Sequence, residues 1–70
     1  MEPVILDCQA MEWQQLFSKY AAQGEEIDLI HINNPALDLD FCKNIAQRHQ
    51  MEFAVDKEHD TAFLRKKKDD

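Results

Sequence analysis

The spacing of apolar residues changes several times along the chain, and each change predicts an element. Pro3, which cannot donate to a ladder, leads into Val4-Ile5-Leu6-Asp7-Cys8, a short β-branched and apolar run that predicts a first strand. From Ala10 or Met11 the period becomes helical: Trp13, Leu16, Phe17 and Tyr20 form one stripe, ending near Gln23. Gln14, Gln15, Ser18 and Lys19 take the wet face, and Gly24 supplies the left-handed position that stops the helix. Residues 26–35 then read as a strand running out into a turn. Ile27, Leu29 and His31 point one way and Asp28, Ile30 and Ile32 the other, so its second half is apolar on both sides, as in a central strand. Asn34-Pro35 closes it.

A second helix has two possible starts, Asn34 as cap with Pro35 at its first position, or Asp38 as cap with Leu39 there. The apolar spacing favours the later one. Leu37, Phe41, Ile45 and His49 lie four apart, Cys42 and Ala46 widen the stripe, and Asp38 and Asp40 complement the positive end of the helix dipole. Met51-Glu52-Phe53-Ala54-Val55-Asp56 alternates, as does Thr61-Ala62-Phe63-Leu64-Arg65, so the two form a hairpin. Its loop, Lys57-Glu58-His59-Asp60, contains no glycine, which favours a four-residue type I turn over a tight primed one. The order is β-α-β-α-β-β, an α/β chain of the α+β two-layer sandwich kind: a four-stranded mixed sheet with two helices on one face. The opposite face is expected to stay partly open to solvent.

Composition narrows the functions such a fold can carry. Seventy residues make one domain with a single thin core and a stability of roughly 3 to 5 kcal/mol. The net charge is −6, and residues 1–64 carry four basic against twelve acidic side chains, so polyanions are repelled and no nucleic-acid partner is expected. A basic C-terminal tail from about residue 65, Arg65-Lys66-Lys67-Lys68, is too short to reverse that; it reads as a solvated end guarding the last strand, or as a docking point for an acidic partner. No membrane span and no secretion signal is evident, which makes a cytoplasmic home the expectation. Two cysteines make no disulfide framework, and the single glycine excludes a phosphate loop.

Cys8 is the candidate site residue. It lies where the first strand gives way to the first helix, and a helix N-terminus stabilises a thiolate. Asp7 and Glu12 oppose that charge, and a Cys8 that faces the helices instead is an ordinary small core residue. Both readings stand. Cys42 is explained by packing, His31 has no serine or cysteine placed near it by the sequence, and His49 and His59 read as exposed ends. No CxxC or HxxxH spacing supports a metal site. Trp13, Phe17 and Tyr20 read as core, with Trp13 early enough in its helix to anchor a protein partner.

The ordering of these motifs resembles the TusA/SirA-like sulfur-carrier family across most of residues 1–70. Carrying the resemblance are Leu6-Asp7 in the first strand, the helix closed by Gly24, Asn33-Asn34-Pro35-Ala36 where the family often has Asp-Asp-Pro, Phe41, Cys42 and His49 in the second helix, and the hairpin ending in Phe63 and Arg65-Lys66. The family's Cys-Pro-x-Pro falls on Cys8-Gln9-Ala10-Met11, a degenerate form without either proline. The resemblance implies a sulfur carrier whose Cys8 accepts persulfide sulfur from a cysteine desulfurase and passes it to an acceptor protein, with no cofactor. The missing prolines motivate the alternative, a non-catalytic protein-interaction or regulatory module on the same fold.

Overall fold

The computed structural model describes residues 2–35 and 37–67. Its elements are β1 (Val4–Asp7), α1 (Trp13–Ala22), β2 (Ile27–Ile30), α2 (Leu39–Arg48), β3 (Met51–Asp56) and β4 (Thr61–Lys66). The strands form one mixed sheet in the order β1-β2-β4-β3, with both helices on one face. β1 runs parallel to β2, with Val4 opposite Ile27 and Asp7 opposite Ile30. β4 is antiparallel to both of its neighbours, and Phe63 stands opposite Asp28 on one side and Ala54 on the other.

Local chemistry explains the helix ends. α1 stops in a Schellman arrangement: Gly24, at φ 77°, donates its N–H to the Ala21 carbonyl at 2.9 Å, and Glu25 donates to Tyr20 at 3.0 Å. At the start of α2 the Asp38 carboxylate accepts the Phe41 N–H at 3.1 Å, so the later of the two expected starts is the one used. Gln50 takes the left-handed position after α2 at φ 57°, without glycine.

Alternation along the strands sends Leu6, Ile27, Leu29, Ala62, Leu64 and Met51 into the core beneath the helices. Four aromatic rings fill the layer between helices and sheet. Trp13 meets Phe41 edge-on at 5.9 Å, and Phe17, fully buried, lies 6.2 Å from Phe41 and 6.3 Å from Phe53. Trp13 is only 3% exposed, which leaves it no surface with which to anchor a partner.

Three expectations need correction. The first helix begins at Trp13 rather than at Ala10 or Met11, because residues 8–12 are spent in turns: Ala10 donates to the Asp7 carbonyl and Trp13 to that of Ala10, each at 3.1 Å. β2 ends at Ile30, since His31 adopts a left-handed φ of 61°. That break undoes the alternation, exposing His31 and returning Ile32 to the core at 7% exposure. Lastly, Arg65 and Lys66 belong to β4, an inner strand, and so are neither a free tail nor the guard of an edge; residues 68–70 lie outside the described residues.

Candidate functional site

The carboxyl ends of β1 and β2 and the β3–β4 hairpin meet at one end of the sheet, where Cys8 lies. The Cys8 N–H donates to the Ile30 carbonyl at 3.2 Å, which extends the parallel ladder one residue past β1. This keeps the strand's alternation in force, so the thiol points inward like Leu6 and is 1% exposed. α1 begins five residues later, too far along the chain for Cys8 to be the residue at its N-terminus. Burial first, and then the Asp7 and Asp60 carboxylates, push the Cys8 thiol up to about 11. Cys42 is wholly buried, and burial, Cys8 and Asp38 push it up to about 12. Both are free thiols.

The neighbouring side chain goes the other way. Asp7 faces away from the helices, and its carboxylate accepts the Gln9 N–H at 2.9 Å while standing 3.1 Å from His31 Nδ1. The Gln9 amide, followed by the His31 hydrogen bond, holds the Asp7 carboxyl below its usual range. The hairpin fastens this corner: Asp60, left-handed at φ 56°, accepts the Ile32 N–H on its carbonyl at 3.4 Å and the Asn33 N–H on its carboxylate at 2.8 Å. A second pair sits on the hairpin itself, His59 Nδ1 and Asp56 Oδ2 at 2.7 Å, and that hydrogen bond is the main reason the Asp56 carboxyl is also lowered.

An imidazole with Nδ1 on a carboxylate is oriented as a general base would be. Here the thiol that would serve as its nucleophile points into the core on the far side of the sheet. The Asp7–His31 pair and the Cys8 thiol are thus separated by the backbone, although Asp7 and Cys8 are neighbours in sequence. Asp56, Glu58 and His59 could each offer one ligand to a cation, and their ligand atoms lie within 4.8 Å of one another on the hairpin surface. No family model matches the chain, nor does any curated protein or any solved structure. Among the described residues, no helix is long and apolar enough to cross a membrane.

Of the residues singled out in the sequence, Cys8 and Cys42 lie close enough in the core for Cys8 to help raise the Cys42 thiol, while His49 and His59 are exposed. The Asp7–His31 pair was missed. Its signal was the parallel register: once β1 and β2 are paired end to end, the residue after Ile30 must fall beside the end of β1.

The second surface that could act is the sheet face opposite the helices. Among the described residues no element covers it. It displays Ile5, 63% exposed, in register with Asp28, Phe63 and Ala54, beside a second row of Asp7, Ile30, Thr61 and Asp56.

Proposed function

We propose that this chain is a non-catalytic protein-interaction module built on a TusA-like β-α-β-α-β-β sandwich and working in the cytoplasm. The observation that carries the reading is the inward-facing Cys8 thiol, pushed up to about 11 by burial and by neighbouring carboxylates. Sulfur transfer by exchange needs a thiolate that can reach a persulfide on another protein, and Cys8 in this conformation has neither the charge nor the access. The absence of both prolines from Cys8-Gln9-Ala10-Met11 agrees with lost chemistry. What the fold retains is a sheet with one face free for a partner.

The carrier reading, in which Cys8 takes sulfur from a cysteine desulfurase and hands it to an acceptor, makes the opposite demand. The turn at residues 8–12 would have to open to present the thiol. Incubation with a desulfurase and sulfur-labelled cysteine separates the two. The module reading expects no label on the chain; label that appears on the wild-type chain and disappears in Cys8→Ser overturns it.

A further inference from the structure

The bare sheet face has a composition that selects its occupant. We infer that it is the docking surface for an amphipathic helix of a partner protein, apolar along one stripe and carrying Lys or Arg at both ends of that stripe. The inference rests on the reading of the chain as an interaction module and names the surface and the partner's chemistry.

The register sets apolar side chains on either side of Asp28, whose charge is met by Arg65, with further carboxylates beyond them. Ile5, Phe63 and Ala54 share a row across β1, β4 and β3 with Asp28, which stands between Ile5 and Phe63 on β2, and Ile30 adjoins them in the next. Beyond these stand Asp7 and Asp56 towards the hairpin end of the sheet, and Glu52 towards the other. Among the described strand residues, one cation belongs to the face, Arg65, and it is already engaged. Its guanidinium meets the Asp28 carboxylate at 2.5 Å, donates to the Ile27 and Leu64 carbonyls at 3.2 Å, and lies over the Phe63 ring at 5.1 Å from its centroid. Beside it is a shallow hollow of about 200 Å³ lined by Glu52, Ala54, Phe63 and Arg65, open to receive one apolar side chain. Among the described residues, Asp7 and Asp56 pair with His31 and His59 and not with Lys or Arg, and no Lys or Arg forms an ion pair with Glu52.

Charge decides between possible occupants. Nucleic acid and anionic lipid headgroups are repelled by such a frame. A second copy meeting this one about a two-fold axis sets the carboxylates of Asp7, Asp56 and Glu52 against themselves, with Arg65 already committed. A cationic amphipathic segment satisfies the apolar centre and the frame together. Strand geometry puts Asp56 and Glu52 roughly 13 Å apart along β3, a distance that two cations seven residues apart on one helix face, roughly 10.5 Å, cover with the reach of their side chains. A helix laid on a sheet is the packing the opposite face already uses.

The test is an amide-shift titration of the isotope-labelled full chain with a synthetic helical peptide having a Leu and Phe stripe and Lys residues seven apart, flanking the stripe on one helix face, against the same peptide with Glu for Lys. The expected result is saturable shifts confined to Ile5, Ile30, Phe63, Ala54 and their neighbours, weakened by salt and absent with the Glu peptide. Glu52→Lys should weaken binding roughly three- to tenfold, and Ile5→Ser about tenfold. Both positions are exposed, and the variants' own spectra verify that the fold is kept. Shifts that map to α1 or α2 overturn the inference while leaving the module reading in place. So does an absence of saturable binding, or equal binding of both peptides. Concentration-dependent shifts at the same residues without peptide overturn it in favour of a second copy. Failure of the module reading is read separately, from Cys8-dependent sulfur labelling.

Discussion

The sharpest prediction concerns how fast Cys8 reacts with a small alkylating reagent in the native chain. At pH 7.5 a thiol at the ordinary value of 9.0 is about 3% thiolate, whereas one at about 11 is about 0.03%, a hundredfold loss of reactive form. Access adds to this, because with 1% of Cys8 exposed the reagent must wait for the sheet end to open. If opening is global, a stability of roughly 3 to 5 kcal/mol leaves the open state populated at about one part in 150 to one part in 5,000. Alkylation of native protein should therefore run at least a hundredfold slower than in urea. The assay is timed labelling with iodoacetamide, quenching, digestion and mass spectrometry, which scores Cys8 and Cys42 on separate peptides. In the opening route the thiol reacts from the unfolded state, so the logarithm of the rate climbs with pH only to about 9 and then levels. A native Cys8 that reacts within tenfold of the denatured rate while Cys42 stays protected refutes the reasoning and restores the carrier.

Three further outcomes follow from local structure. Gly24→Ala should cost about 1 to 2 kcal/mol in urea unfolding although no heavy atom lies within 4 Å of the added Cβ, because the whole penalty is the φ of +77°; an unchanged midpoint refutes it. Asp38→Ala should cost about 1 kcal/mol through the lost cap on Phe41, and Asp38→Asn much less, by the same measurement. The pH profile of thermal unfolding should fall on both sides. Asp7 and Asp56 are lowered in the folded chain, so their stabilisation is present above the usual carboxylate range near 4 and is lost as pH falls through the folded values; Asp7→Asn should flatten that limb. The raised thiols act with the opposite sign: Cys8 contributes fully below about 9, and its contribution is lost as pH rises to about 11.

Element type was legible because it is local. The stripe of Trp13, Phe17 and Tyr20, the alternation of Met51, Phe53 and Val55, and the Asp38 cap each declare a period or an end within a few residues. What stayed hidden depends on pairing across the chain. Nothing near Thr61–Lys66 announces that this strand lies between β2 and β3, so its basic end looked like a tail. His31 is hidden for another reason. A histidine at φ 61° carries no glycine or asparagine to mark the break, and the Asp7 contact and the Asp60 anchor that accompany it come from distant segments. Cys8 turned on the same distinction, for its direction follows from one ladder hydrogen bond to Ile30.

The position of β4 has a consequence for how the molecule is made. One of the sheet's two inner strands, β4, is the last of the four to be synthesised, and the Ile27–Leu64 pairing joins segments far apart in the sequence. Until residues 61–66 have emerged, β2 can pair only with four-residue β1, and β3 has no neighbour in the sheet at all. The four-stranded sheet can therefore close only after β4 has been made. Trimming a few residues from the C-terminal end of β4 would remove the centre of the sheet, whereas losing the same number from an edge strand would leave three strands paired.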